Sequence, residues 1–154
     1  MQLVLHSGAI AGYPIQDVRV VVLDGKHHNV DSKEVAFVAA GRKAFLDAIG
    51  KASPQVLEPV VDLEVNAPEQ HMGDISSGLA SKRARINGTD LLRGNEIVVK
   101  AQVPLSELEG YAAELKSVTA GRGRYSLEFS HYEPVPGAVQ RRLIDAYRPR
   151  QEED

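Results

Sequence analysis

Residues 104–136, PLSELEGYAAELKSVTAGRGRYSLEFSHYEPVP, decide how the rest of the chain is read. The stretch spells a helix, a glycine turn and a strand. Ser106 and Glu109 have the S-x-x-E spacing of a capping box, which satisfies two free N–H groups at a helix start. Leu108, Tyr111, Ala112, Leu115 and Val118 recur every three or four residues and form one apolar stripe. Gly121 is placed to end the helix, where a left-handed backbone costs glycine least. Beyond it Tyr125, Leu127, Phe129 and His131 alternate with Arg124, Ser126, Glu128 and Ser130, the period of a half-buried strand.

The preceding residues supply partners for this helix and strand. Ile97, Val99, Ala101 and Val103 alternate with Glu96, Val98, Lys100 and Gln102, behind a turn at Arg93-Gly94-Asn95. A weaker strand is expected over 85–91. A short helix is expected from about Gly73 to Arg85, with Ile75, Leu79 and Lys82 on one line. Val61, Leu63 and Val65 alternate with Asp62 and Glu64. The order is β-α-β-β-α-β within 57–135, the ferredoxin-like arrangement of an α+β fold.

Upstream the pattern changes. Ile15 to Leu23 reads as a strand that is apolar on both faces, through Val18, Val20 and Val22 on one and Val21 and Leu23 on the other. Its unpaired edge leads us to expect self-association through residues 15–23. Asp24 to Val30 forms a loop, and Asp31 with Glu34 repeats the capping-box spacing. The helix that follows, about 32–52, carries Val35, Val38, Ala39, Phe45, Ala48 and Ile49 on its main face, and Pro54 ends it. Residues 1–10 read as the end of a helix cut short. Residues 136–154 read as a final short helix with a charged, frayed end, packing on the first segment.

Composition narrows the function classes. Of 154 residues, 43% are hydrophobic and 25% charged, ordinary for a soluble globular protein, and no long apolar run or signal pattern is present. The absence of cysteine rules out disulfides and thiolate metal sites and fits a cytoplasmic location. A net charge of −3 argues against a general nucleic-acid binder but leaves room for local basic patches. Lys82, Arg83 and Arg85 form one such patch, Arg122 and Arg124 another, and Arg141, Arg142, Arg148 and Arg150 a third. A solvated charged face accounts for each of them equally well.

No covalent chemistry is legible. The chain contains no G-x-x-x-x-G-K-[ST] loop to cradle phosphates and no G-x-S-x-G nucleophile elbow. His27 and His28 are adjacent, so on a strand they would face opposite ways, and His6, His71 and His131 fall in other elements. We therefore expect no catalytic residue, cofactor site or metal site, and no enzyme activity in this chain.

The run PLSE-x-x-GY-x-x-x-L-x-S-x-T-x-GRG-x-Y-x-x-EF-x-x-Y, over 104–132, resembles the C-terminal ferredoxin-like domain of translation elongation factor G. GYP-x-x-D-V at 12–18, DG-x-x-H-x-V-D-S-x-E-x-AF at 24–37, LEP at 57–59 and P-E-x-x-M-G-D at 68–74 are similar to that family's last two domains. The resemblance covers about residues 3–146. It departs at Glu109, where an aromatic is usual, and at Lys116, where arginine is usual and where bidentate geometry is lost.

The resemblance implies a partition. Residues 1–56 would be the second half of an S5-like domain IV, here truncated, and 57–135 the ferredoxin-like domain V. Residues 136–154 would be the C-terminal helix packing on domain IV. It implies a ribosomal partner and a role in tRNA–mRNA translocation. The 24–31 loop, with Lys26, His27, His28 and Asn29, would reach the decoding centre, and His28 matches the family's tip-loop histidine. Lys82, Arg83, Lys116 and Arg122 would contact the large-subunit stalk base and sarcin–ricin region. GTP and magnesium would belong to a GTPase region of a longer parent. A ribosomal protection protein, a specialised paralogue of the factor, or a stand-alone ferredoxin-like interaction or ligand-sensing module are the competing readings.

Overall fold

The structure is a computed structural model that describes residues 5–6, 8–26 and 33–148. The chain divides into two compact units, one formed by residues 57–134 and the other by the segments on either side.

In the unit over 57–134 the sequence alternation becomes a four-stranded antiparallel sheet. Its strands are β1 (Leu57–Pro68), β2 (Arg85–Leu92), β3 (Glu96–Pro104) and β4 (Arg124–Pro134), in the order β2-β3-β1-β4. Val61, Leu63, Val65 and Ala67 of β1 lie in register with Val103, Ala101, Val99 and Ile97 of β3, and all eight are buried. One face of the two central strands is thus a continuous apolar sheet, each fully buried Val, Leu or Ile contributing about 1.5–3 kcal/mol. Helices α2 (Met72–Ser81) and α3 (Tyr111–Val118) complete the core with Ile75, Leu79, Tyr111 and Leu115. The edges are less covered. Every residue of β2 is exposed, and Leu127 and Phe129 of β4 are about half exposed. The element order is the ferredoxin-like βαββαβ of an α+β fold.

Two details differ from the sequence reading. Ser106 does not cap a helix. Residues Leu105–Leu108 form a single 3₁₀ turn, Glu109 is extended, and α3 starts only after Gly110, whose φ of 74° makes the break. With Glu109 out of helical conformation its side chain cannot return to the Ser106 N–H, so the box is geometrically closed off. Helix α2 also stops earlier than expected, at Ser81, and the left-handed residue that ends it is Arg83 at φ 56°.

The other unit contains α1 (Glu34–Lys51) and α4 (Gly137–Ala146). Helix α1 has no side-chain cap at Lys33, and Asp31, the expected capping partner of Glu34, lies outside the described residues. Only Phe45 of α1 is buried, while Val35, Phe37 and Val38 are exposed. The expected strand over 15–23 is irregular, with Val21, Val22 and Leu23 exposed. Among the described residues no strand pairs with residues 15–23. Gln140 of α4 accepts the Val56 N–H at 2.9 Å, and the Val135 N–H reaches the Val56 carbonyl at 2.9 Å.

Candidate nucleic-acid interface

Apart from Lys100, which pairs with Asp90 in mid-sheet, the basic residues of the ferredoxin-like unit fall into two groups, at opposite ends of its sheet. One end gathers the start of β1, the α2–β2 link, the 3₁₀ turn after β3 and the end of β4. Here Arg83 forms a two-pronged bond with Glu58, Nη1 to Oε1 at 2.7 Å and Nη2 to Oε2 at 2.9 Å. Its Nε also donates to Glu107 Oε1 at 2.7 Å, and the Ser106 hydroxyl approaches Glu58 at 3.4 Å. Glu58 is buried, so the fork supplies the partners its carboxylate needs. The left-handed backbone at Arg83, worth about 1–2 kcal/mol of strain in a non-glycine residue, is offset by that fork. The carboxylates hold the guanidinium proton more tightly than usual, Glu58 first.

Lys82 is engaged in the same way. Its Nζ lies 2.8 Å from Glu114 Oε2 and 5.9 Å from the centre of the Tyr111 ring, with the side chain largely covered. Arg85 meets Glu133, which also accepts from His131 Nε2 at 2.8 Å. His131 first, then Arg85, holds the Glu133 carboxyl below its usual range. Tyr111 is buried beside Tyr125, ring centres 5.3 Å apart, and its hydroxyl has no partner among the described residues. Burial pushes that phenol up to about 12, so it stays protonated and offers no base.

The opposite end gathers the exit of β1, the β2–β3 turn and the α3–β4 turn. Gly94 and Asn95 take positive φ, 82° and 57°, and the Asn95 carbonyl accepts the Glu69 N–H at 2.8 Å. The α3–β4 turn is fixed by its own backbone. Gly121 N–H donates to the Lys116 carbonyl, Arg122 N–H to the Thr119 carbonyl, and Gly123 N–H to Thr119 Oγ1. All three N–H groups of Gly121-Arg122-Gly123 are occupied, so the segment is a helix stop and not an anion nest. A Cβ at Gly123 would come within 2.7 Å of Thr119 Oγ1 and 2.8 Å of Leu115 Cγ, which is why glycine stands there.

The arginines that leave this turn form no ion pair among the described residues. Arg122 Nη2 lies 3.3 Å from His71 Nε2 and lines a polar depression of about 480 Å³ with Glu69, Gln70, Asn95 and Glu96. Arg93, Lys116 and Arg124 have no ion-pair or hydrogen-bonding side-chain partner among the described residues, and all three are exposed. Lys26 is exposed in the other unit, beside an Asp24 carboxylate that accepts the Gly25 N–H at 2.7 Å. His27, His28 and Asn29 lie outside the described residues. Among the described residues no three His, Asp or Glu side chains come together as a metal site, and no helix is long and apolar enough to cross a membrane.

The sequence-level candidates are therefore divided. Lys116 and Arg122 stand at the open end of the sheet, whereas Lys82 and Arg83 are bound to carboxylates inside the unit. The partners of Arg83 are far away in sequence, Glu58 and Glu107 at separations of 25 and 24, and no local spacing signals them. Arg93 carries no signal in the sequence, because a turn arginine has no pattern of its own. The His71–Arg122 contact joins residues 51 apart and has no local signature either.

Comparison with known proteins fits this architecture. The family described as "Elongation factor G C-terminus" matches residues 55–143, and that described as "Elongation factor G, domain IV" matches residues 1–53. Elongation factor G of Aquifex pyrophilus is 47% identical over 140 residues, covering 91% of this chain and 20% of the relative. A crystal structure of a protein from Thermus thermophilus superposes with a TM-score of 0.76 at 39% identity, covering 92% of this chain and 21% of the other. The chain thus spans about a fifth of the length of either relative. Matched in order by domain IV and then by the C-terminus, this chain belongs to the elongation factor G family.

Proposed function

We propose that this chain is the ribosome-contacting part of an elongation factor G-like translation factor and acts in tRNA–mRNA translocation. One observation carries the reading: two consecutive family matches, in family order, account for residues 1–53 and 55–143. The work of such a part is mechanical and electrostatic. A rigid sheet-and-helix unit presents basic turns to RNA phosphates, and the loop with Lys26, His27, His28 and Asn29 reaches the decoding side. Lys116 and Arg122 are the better candidates for the large-subunit contact, because Lys82 and Arg83 already serve buried or partly buried carboxylates.

The residues present do not fit GTP. No phosphate-cradling glycine loop occurs in the chain, and the one G-x-G in the C-terminal half has all its N–H groups engaged. GTP hydrolysis is assigned to a GTPase region of a longer parent. In that parent His28→Ala should slow translocation far more than GTP turnover, and in this chain it should leave the melting temperature nearly unchanged. Equal losses of both activities would remove the loop from the mechanism. Failure of the chain to co-sediment with ribosomes in low salt would remove the ribosome from it.

A further inference from the structure

We propose that Asn87-Gly88, in the outer strand β2, is a site of spontaneous covalent modification, where Asn87 loses its carboxamide through a cyclic imide and becomes aspartate or isoaspartate. The site is independent of the ribosomal reading. The Gly88 peptide nitrogen, once its proton is taken by hydroxide, attacks Cγ of Asn87. The new N–Cγ bond forms as the Cγ–Nδ2 bond breaks, and Nδ2 leaves as ammonia with a proton from water. A second water then opens the imide. Cleavage of the N–Cγ bond gives aspartate on an ordinary main chain. Cleavage of the original peptide bond instead routes the main chain through the side chain and gives isoaspartate. The sum is carboxamide plus water to carboxylic acid plus ammonia, with water the only co-reactant.

Three features of the chain favour this chemistry here. First, the four asparagines, Asn29, Asn66, Asn87 and Asn95, are followed by Val30, Ala67, Gly88 and Glu96, so a single one precedes glycine. Glycine leaves the attacking nitrogen uncrowded. A Cβ added at Gly88 would meet nothing within 4 Å, so the site is also open to solvent. Second, β2 is an edge strand that pairs with β3 alone in the four-stranded sheet, and all its residues are exposed. Hydroxide and water therefore reach both reacting atoms.

Third, the ladder is interrupted at this residue. Ile86 pairs with Ala101 and Gly88 with Lys100, and the register shift leaves Asn87 as the extra residue of a bulge. Its carboxamide forms no hydrogen bond with the described residues, whereas Asn95 donates to Glu69 at 3.3 Å. No side-chain bond has to break before Cγ of Asn87 meets the Gly88 nitrogen. Asp24-Gly25 offers an internal comparison, since Asp24 Oδ1 accepts the Gly25 N–H at 2.7 Å. Its ionised carboxylate is a poor electrophile and must gain protons before an oxygen can leave as water, so above neutral pH it should react more slowly than Asn87.

The product changes the edge and spares the core. Aspartate adds one negative charge to β2. Isoaspartate adds a methylene to its main chain, between the Arg85–Glu133 and Asp90–Lys100 ion pairs. No residue of β2 is buried, so the disturbance is confined to the outer strand.

The test ages the full folded chain at mildly alkaline pH and follows it by peptide mapping, with isoaspartate read by enzymatic carboxyl methylation. The peptide holding Asn87 should gain the mass of exchanging NH for O before those holding Asn29, Asn66 or Asn95 do, and isoaspartate should accumulate there before it does at Asp24. The rate should rise in proportion to hydroxide. Gly88→Ala should slow it by about an order of magnitude, because a Cβ shields the nitrogen. That variant should fold, since Gly88 has no left-handed φ and open space around it. An Asn87 that stays intact in the folded chain while the urea-unfolded chain deamidates there would show that the strand protects it, and would overturn the proposal. So would an equal rate in Gly88→Ala, or faster loss at any of the other three asparagines.

Discussion

The two ends of the four-stranded sheet are built from similar residues and partner them in opposite ways. At the β1 entrance, Arg83 and Arg85 are matched to Glu58, Glu107 and Glu133, so two cations meet three carboxylates within the unit. At the β1 exit, Arg93 and Arg124 face no carboxylate partner among the described residues, and Arg122 meets only a histidine ring nitrogen. A basic pair in the sequence therefore says little until its partners are known. A cation that neutralises a buried carboxylate has a structural task. One without a carboxylate remains free to meet phosphate.

The sharpest way to break this contrast is Arg83→Ala. It leaves Glu58 buried with only a weak hydroxyl contact and removes the compensation for the closed end. The pair is not fully enclosed, since about a third of the Arg83 side chain is exposed, so water recovers part of the loss. We expect destabilisation of about 2–3 kcal/mol, a drop of roughly 10 °C or more in melting temperature for a domain of this size. Arg93→Ala should shift it by less than about 0.5 kcal/mol. Equal losses in the two variants would erase the distinction between the ends.

The sequence disclosed the periodic parts of this fold and little of the pairing. Alternation in β1 and β3 and the stripe Leu108, Tyr111, Leu115 mark residues that become the core. Such patterns are local, and local patterns survive into structure. Gly121 is also legible, with φ 81° and its N–H closing the helix. The start of α3 departs from expectation because Ser106 and Glu109 offer a cap that competes with Gly110, and the glycine break prevails. The end of α2 departs because a left-handed arginine has no sequence signature. It is sustained by Glu58, 25 residues away. Residues 15–23 have strand composition but no described strand to pair with, and composition alone forms no ladder.

A smaller effect of opposite sign is expected beside the closed end. Tyr111 buries a hydroxyl that finds no acceptor among the described residues, at the cost of desolvating it, although the ring packs well against Tyr125. Tyr111→Phe removes the oxygen and keeps the ring. It should be neutral or stabilising by about 1 kcal/mol in denaturant melts. Destabilisation by about 2 kcal/mol or more would mean that the hydroxyl has a partner in solution, such as a buried water.

The least perturbing test reads the closed end through one proton. Glu133 accepts from His131 and Arg85 and titrates below the ordinary carboxylate range, His131 being the larger cause. A carboxyl whose folded pKa is depressed contributes stability above its unfolded pKa, and that contribution disappears as pH falls through the folded value. The effect therefore belongs to the acid limb of the stability curve. The group is exposed, so salt should shrink it. Carbon-13 NMR titration of the Glu133 carboxyl should show an upward move in His131→Ala, a smaller one in Arg85→Ala, and both differences fading in about 1 M salt. Should Glu133 titrate identically in all three proteins, the Arg85–Glu133–His131 cluster would not persist in solution. The closed end would then reduce to the Arg83–Glu58–Glu107 fork alone, and Arg85 would join the free cations as a candidate for phosphate.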